Sequence, residues 1–576
     1  MATVQAYTSR GYSYYRLVTS RRGPDGRPRL VVLRHLGTAQ DLGEALLKGR
    51  PAAKESLVVE FGGSAAVLAV ARELGFVAIV DRHAPKRDQG PSVGQYMLLA
   101  AINRVVAPRS KRKMRSWYRA TALPRLLGIS PQALSSQRFW DHMGYLTQDR
   151  LGRIQEDLVK AVLDRYSLDV RTLFYDGTNF DTFMDSVTMS ELARRGHAKS
   201  KRTDLRIVSL GLLVSADFHV PLLWDIYPGN RPDSVELRGL IDRLVQRYRL
   251  LAEHCEDVTL VFDKGNNAED NLQAVADSPY HVVGSFVPSH HSDLLAVPLS
   301  KFEALDDARL KGVLAYRTRK EVFKRTWGIV VTRSEGLLRG QLRGIAQHLR
   351  KRRRQLRDLQ RAVWRWHERE ETGKGYTQES LKARIGKILA GGQYVSRLLK
   401  VHVRVRRGRL EIRYETDQTE LGRLTRDVLG KRILFTDQES WTTEEIILAY
   451  RGQRHVERAF RDMKDPVFMT WRPLFHWTDD KIRVHALYCL SALTLASLLH
   501  RKVMRGGMKV SLQEMLRGLT RIQEVYGLAS RRKGGESRGR RRAQISYTRL
   551  DAQQERMVEL LDLRAMQGSS YIQATK

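Results

Sequence analysis

The sequence predicts an α/β fold, a mixed-sheet core interrupted by a large inserted domain, and three observations predict it. Two short, nearly continuous apolar runs, one from Leu173 to Tyr175 and one from Val258 to Phe262, each stop at an Asp with a Gly close behind, as buried strands do at a sheet edge. A third segment, Tyr450 to Lys464, has helical period: Tyr450, Gln453, Glu457, Arg461 and Lys464 share one stripe, opposite Ala449, Val456, Phe460 and Met463. Finally, 194 residues separate Asp263 from Glu457, too many for a strand-to-helix connection and enough for an inserted domain.

Residues 1–50 read as a β-hairpin region, with Tyr12 to Thr19 as a strand, Gly23-Pro24-Asp25-Gly26 as its turn and Leu30 to Leu36 as the return. Residues 55–165 are helical, around a core built on Leu98, Leu99 and Ile102, with a basic cluster from Arg109 to Lys113 and Trp117-Tyr118-Arg119 close by. Residues 166–290 hold the first part of the sheet. Its first strand ends at Asp176; Ile207 to Val214 and Val220 to Tyr227 form a meander; Ser234 to Leu250 is a helix; Val258 to Asp263 and His281 to Val287 are further strands.

The insertion, residues 291–430, begins with strands over Gly312 to Arg317 and Glu321 to Arg333. A long helix follows, with Leu338, Leu342, Ile345, Leu349, Leu356, Leu359, Val363 and Trp366 in a heptad stripe that Arg352 interrupts. After a turn at Gly373-Lys374-Gly375, Leu381, Ile385 and Ile388 make a partner stripe, and Val401 to Arg406 with Leu410 to Thr416 make a hairpin turning at Gly408. Residues 431–475 return to the sheet through Ile433 to Asp437. Thr442 and Glu445 form a capping box there, and one helix is expected to run from it through Glu457. Residues 476–576 are expected to be helical at Lys481 to Val503 and Ser511 to Tyr526, ending in a basic tail, Arg531 to Arg542.

Composition narrows the function. Lys and Arg total 100 against 63 Asp and Glu, a formal charge of +37 and a pI near 10.4, so a polyanionic partner is the simplest consequence. A membrane surface is the rival, but no run of about 18 apolar residues is evident, nor is a secretory leader. Cys255 and Cys489 are the only cysteines, which provides neither a disulfide framework nor a Cys-rich zinc site and suits a reducing cytoplasm. His197, His290 and His291 offer a competing metal set, without a ligand spacing to support it. Asp176 or Asp263 alone reads as readily as a turn residue; two strand-terminal Asp residues with a helical Glu among cations form a pattern that turn chemistry does not predict.

The Asp176-Gly177-Thr178 strand end, Val261-Phe262-Asp263-Lys264-Gly265, and a helix with Tyr450, Glu457 and Lys464 at their spacing resemble the DDE transposases of bacterial insertion sequences. The closest group is the IS-four-like branch, with its Tyr-x2-Arg-x3-Glu-x6-Lys signature; Gln453 stands in the Arg place, flanked by Arg451 and Arg454. Gly196-His197-Ala198-Lys199 leading to Arg202-Thr203-Asp204-Leu205, Tyr227-Pro228-Gly229-Asn230, His476-Trp477-Thr478 and Ile482-Arg483-Val484-His485 carry the similarity across residues 90 to 500. The resemblance implies a ribonuclease-H-like core in which Asp176, Asp263 and Glu457 are the catalytic residues and the metal ligands. It further implies two Mg²⁺ ions, with Mn²⁺ able to substitute, and Tyr450, Arg454, Arg461 and Lys464 against DNA. The partner would be double-stranded DNA, both transposon ends and target, with residues 55–165 touching the ends, and the chain a homodimer when bound.

That chemistry has a physical reason. Two divalent ions about 3.5–4 Å apart activate the attacking oxygen, stabilise the leaving one and neutralise the charge that builds on phosphorus. Mg²⁺ takes oxygen ligands and keeps its waters, so a few carboxylates suffice. The rivals are a DNA-gripping relative that has lost cleavage and a host nuclease on the same core.

Overall fold

The computed structural model describes residues 2–9, 11–22, 28–47, 55–87, 89–185, 188–232, 235, 239, 241–245, 257–263, 269–369, 375–528, 541–568 and 571–574. The protein is a mixed α/β molecule of two compact units. Met1–Ala69, Arg115–Gln132 and Gln513–Lys576 make the smaller; Val70–Met114 and Ala133–Leu512 make the larger. In the smaller unit β1 (Ala2–Ser9), β2 (Tyr12–Arg22) and β3 (Pro28–Thr38) form an antiparallel sheet in that order, so the expected hairpin gains a strand at its N-terminal side. Its turn, residues 23–26, lies outside the described residues. β4 (Glu55–Glu60) follows.

The larger unit is built on one nine-stranded sheet. β5 (Thr172–Asp181), β6 (Ile207–Ser215) and β7 (Pro221–Pro228) form an antiparallel meander, and β8 (Thr259–Phe262) and β9 (His281–Phe286) run parallel to β5. β6 is buried at every position, which explains why its sequence, Ile207-Val208-Ser209-Leu210-Gly211-Leu212-Leu213-Val214-Ser215, does not alternate. The helix expected over Ser234 to Leu250 falls for the most part outside the described residues.

The insertion begins by widening this same sheet. β10 (Glu303–Ala304), β11 (Val313–Val322) and β12 (Arg325–Ser334) join it, and the order across is β10-β11-β12-β15-β9-β8-β5-β6-β7, with β15 spanning Lys431–Thr436. The heptad stripe then forms a helix, Glu335–Arg369. Leu338, Ile345, Leu349, Leu356 and Val363 pack with Leu381 and Ile385 of the helix Gln378–Leu389 and with Ile412. Arg352, which breaks the stripe, sends its Nε to the carbonyl of Gly391 at 2.8 Å, so a seam position that would strand a charge instead satisfies a loop carbonyl. Residues 373 and 374 of the expected turn lie outside the described residues. β13 (Leu399–Arg406) and β14 (Arg409–Thr416) make the expected hairpin, whose turn residue Gly408 has φ +74°, a conformation that favours glycine.

Thr442 caps its helix as expected, with reciprocal bonds to Glu445 of 3.2 and 2.7 Å. The helix does not run unbroken to Glu457: it spans Thr443–Arg451, stops, and restarts as Arg454–Met463. A close approach accompanies the break. A Cβ at Gly452 would lie 2.3 Å from the Phe174 ring, so strand and helix meet there backbone to ring.

Two expectations about the C-terminal region are corrected. The helix Asp479–Arg505 is long and apolar enough to cross a bilayer, with mean hydropathy 1.6 over its best window, but 94% of that window is buried within the protein. The second helix stops early, at Leu512–Thr520; Tyr526 belongs instead to β16 (Gln523–Leu528). With β17 (Arg541–Tyr547) and β18 (Tyr571–Ala574) it extends β4 into a four-stranded sheet in the smaller unit, ordered β18-β17-β16-β4. The strand carries a fully buried carboxylate: Glu524 is paired by Arg125 and accepts the hydroxyls of Tyr526 and Tyr547 at 2.6 and 2.8 Å. Most of the basic tail, residues 531–540, lies outside the described residues.

Candidate active site

The two aspartates meet through strand register. β5 and β8 pair in parallel from Thr172 opposite Thr259 to Tyr175 opposite Phe262, and the next residues along are Asp176 and Asp263. Neighbouring strands lie about 4.8 Å apart, so 87 residues of intervening chain bring two carboxylates side by side at the end of β8. Alternation places Phe174, Asp176, Thr178 and Phe180 on one face of β5. That face is covered by the helix Arg454–Met463 and its flanks. His455 stacks on Phe174 with ring centres 5.3 Å apart, and Lys464 Nζ donates to Thr178 Oγ1 at 2.7 Å and sits 5.3 Å over the Phe180 ring. Asp176 is half-buried between these contacts, one of its oxygens accepting the Gly177 amide at 2.8 Å.

Asp263 is held from the other side. The Tyr450 hydroxyl donates to its Oδ1 at 2.8 Å and lies 2.8 Å from the Ser285 hydroxyl, which is itself 3.4 Å from the same carboxylate. Burial first, and then the charge of Asp263, push the Tyr450 phenol up to about 12. Tyr450, expected at the DNA backbone, is therefore buried beside a carboxylate at 7% exposure. Gln453 is buried too. Its Nε2 donates to the Tyr175 carbonyl at 2.8 Å, while its Oε1 is enclosed without a hydrogen-bond partner.

Glu457 is exposed on the first turn of its helix and lines a cavity of about 390 Å³ together with Asp263, Ser285, Tyr450, Gln453 and Arg454. Arg454 and Arg461 are exposed, as the stripe suggested. Asp176 and Asp263 are thus register neighbours, and Asp263 and Glu457 share a cavity. Among the described residues no group of three His, Cys, Asp or Glu side chains is close enough to hold one ion.

Lys464 stands where charges of both signs meet. Burial is the main influence lowering its pKa, and Lys199 adds to it, while Asp176 and Asp181 act in the opposite direction. Several supporting residues were not singled out from the sequence. Lys199 donates to the Gly177 carbonyl, and its amide bonds Asn179 Oδ1 at 2.9 Å, clipping the loop that contains His197 onto β5. Asp181, on the same strand, is buried and paired with Arg472, and accepts the Ser200 hydroxyl at 2.8 Å. Asp462 and His219 are both buried, 3.4 Å apart. The sequence signal for Lys199 and Ser200 was the residue 196–205 stretch, whose mixture of His, Lys, Arg and Asp has no period; Asp181, His219, Asp462 and Arg472 lie outside it. His290 ends a short 3-10 helix, Pro288–His290, and His291, which follows it, lies against Phe286 with ring centres 4.7 Å apart.

No family model matches the chain, and no curated protein does. Among solved structures it is similar to the piggyBac transposase in a synaptic complex with hairpin DNA, at 7% identity over 79% of each chain with a TM-score of 0.37. It is also similar to the Mos1 transposase in a paired-end complex with the left transposon end, at 13% identity over 34% of this chain and 60% of that one, with a TM-score of 0.14. Neither likeness is close enough to establish a shared fold.

Proposed function

We propose that this protein is a DDE transposase of the insertion-sequence type: it binds the ends of a mobile element, cleaves DNA strands there and joins the 3′ ends to target DNA. The observation that carries this reading is the register of Asp176 with Asp263 beneath the helix bearing Glu457. The strand order β7-β6-β5-β8-β9, an antiparallel meander followed by two parallel strands, is the arrangement a ribonuclease-H-like core requires, and it supports the reading from the backbone alone. The net charge of +37 supports a polyanionic substrate.

The donor chemistry suits a hard divalent cation: Asp263 and Glu457 offer oxygen to the cavity and Asp176 stands in register beside Asp263. The three carboxylates do not converge on one point; Asp176 and Asp263, neighbours in register, and Glu457, which shares a cavity with Asp263, would hold two Mg²⁺ ions between them, whose contribution when bound is to polarise the scissile phosphate and lower the pKa of a coordinated water. The protein's own share is positional. Tyr450 and Ser285 fix the Asp263 carboxylate, Gln453 ties the start of the Glu457 helix to β5 at Tyr175, and Lys464 brings a cation beside Asp176. Arg454 and Arg461, exposed on the same helix, are placed to neutralise phosphates.

The test is strand cleavage of a duplex containing the element's end, in Mg²⁺ and in Mn²⁺. Asp176→Asn, Asp263→Asn and Glu457→Gln are each expected to abolish cleavage while leaving end binding in Ca²⁺ nearly intact. A parent that binds ends and never cleaves would leave a DNA-binding protein, and a variant cleaving within tenfold of the parent would remove that residue from the site.

A further inference from the structure

The turn between β6 and β7, residues 216–219, adopts a conformation that its side chains do not favour. Phe218 and His219 both have left-handed backbone, φ +61° and +48°, a region costly for residues that carry a Cβ. Two helices grip this turn. The Asp217 carboxylate is paired by Arg501 Nε at 2.7 Å and Arg505 Nη2 at 3.1 Å, both on the helix Asp479–Arg505. The Phe218 ring meets His500 of the same helix edge-on, with ring centres 5.2 Å apart. His219 reaches the other helix, Arg454–Met463, its Nε2 lying 3.4 Å from Asp462 Oδ2.

This His–Asp contact is buried. His219 and Asp462 are 4% and 5% exposed, and among the described residues neither His219 Nε2 nor Asp462 Oδ2 has a hydrogen-bond partner. A buried carboxylate needs compensation, and here an imidazole faces it. The other groups facing His219 do not take that role. They are His455 and Arg458 from the Glu457 helix and His500 from Asp479–Arg505. Burial, and then the charge of His219, lower His455 to about 4. Burial also lowers His500; the Val510 carbonyl opposes the shift, and His219 and Arg458 add to it. Both are neutral rings at pH 7. Arg458 is exposed, and Asp217 in the turn itself is engaged by its two arginines.

The helix Arg454–Met463 is 10 residues long and restarts after a break, so it is marginal alone and its placement comes from its contacts. His455 and Lys464 tie it to β5, and Asp462, five residues beyond Glu457, ties it to the strained turn. We propose that His219 and Asp462 form a proton-dependent clamp on this helix, which holds Glu457 in place for cleavage while the pair is charged and releases it when His219 is neutral. Both are positioning residues, remote from the substrate. That Glu457 is the group positioned rests on the function proposed above; the clamp on the helix does not.

The experiment uses the full chain with two variants. His219→Gln keeps an amide donor and removes the charge; Asp462→Asn does the same from the other side and guards against a folding defect in the first. Cleavage of pre-bound duplex containing the element's end is expected to fall about 10- to 150-fold in each, with end binding unchanged. The double variant should fall no further, because both changes remove one contact. The ratio of parent to variant rate should be largest at about pH 5 and shrink towards about pH 8, as histidine gives up its proton. A contact that only packs the helix would not give that profile. Amide hydrogen exchange, measured without DNA, should be faster in both variants over residues 454–463 at the acid end and unchanged in the rest of the larger unit. Equal cleavage, a loss carried by binding, additive losses in the double variant, a ratio constant with pH, or exchange accelerated throughout the larger unit each overturns the proposal. A parent that never cleaves counts against the transposase reading, and exchange then decides the clamp: acceleration confined to residues 454–463 and fading with rising pH supports it, and unchanged exchange overturns it.

Discussion

The Tyr450 hydroxyl donates to Asp263 Oδ1 at 2.8 Å, so the first residue of the Tyr-Glu-Lys pattern serves a carboxylate rather than a phosphate. Tyr450→Phe keeps the ring and removes that bond. A hydrogen bond to a charged group contributes about 1.5–3 kcal/mol, so cleavage is expected to fall roughly 10- to 150-fold if the bond positions Asp263 for the transition state. End binding should not change. Equal cleavage by parent and variant would make Tyr450 a packing residue only.

The same phenol gives a pH dependence. Its pKa in the folded protein is raised from 10.0 to about 12, so the folded form holds the proton more tightly than the unfolded chain. Its contribution to stability is therefore complete below pH 10 and is lost as pH rises through about 12. The difference in melting temperature between parent and Tyr450→Phe should be constant from neutral pH to about 10 and shrink above it. A difference that grows with alkalinity would reverse the assignment.

Gln453 ties two elements together, and its substitutions should separate donor from acceptor. Gln453→Ala removes its bond to the Tyr175 carbonyl and is expected to cost about 1–3 kcal/mol, read as a lower melting temperature. Gln453→Arg retains donors for that carbonyl and removes the unpartnered Oε1, so it is expected to be tolerated. An Arg variant less stable than the Ala variant would show that the pocket around residue 453 rejects charge more strongly than it needs the donor.

How much of this was legible depends on whether a feature is local. The apolar runs leading to Asp176 and Asp263 were readable because they are written in consecutive residues, as were the Thr442–Glu445 cap and the 335–369 stripe, but β5 does not end at Asp176 as expected: it runs on to Asp181, paired with β6. The pairing of Asp176 with Asp263 is a register between strands 87 residues apart, which no window contains. Period alone placed Tyr450 and Lys464 with Glu457 on one stripe. It could not show that Ser285 meets a buried Tyr450 hydroxyl, or that Thr178 accepts the ammonium of Lys464, which itself stays exposed. The Tyr526 strand was missed because its partners, Glu60 to Glu55 on β4, are also remote.

Gly452 marks where packing overrides helix propensity. A methyl group there would meet the Phe174 ring at 2.3 and 2.4 Å and the Ala449 carbonyl at 2.9 Å, although its own backbone is ordinary right-handed helix. Gly452→Ala should raise helix propensity locally and still destabilise the protein, by about 1–3 kcal/mol, as overpacking does. Phe174→Leu in the same chain is expected to recover part of the loss. A more stable single Ala variant would show that the ring has room to move and that the helix break has another cause.

The cations of the Glu457 helix divide into two kinds, and salt dependence distinguishes them. Each phosphate contact released from duplex DNA changes the slope of log affinity against log salt by about 0.9. Arg454 and Arg461 are exposed, so Ala at either is expected to flatten the slope by that amount and weaken binding uniformly across sequences. Lys464 has its ammonium on Thr178 Oγ1 and within the influence of Asp176 and Asp181. Lys464→Ala should therefore leave the slope almost unchanged and lower cleavage instead, because the cation beside Asp176 is lost. A slope flattened by a full unit in Lys464→Ala, with cleavage of bound DNA intact, would return Lys464 to the phosphate backbone.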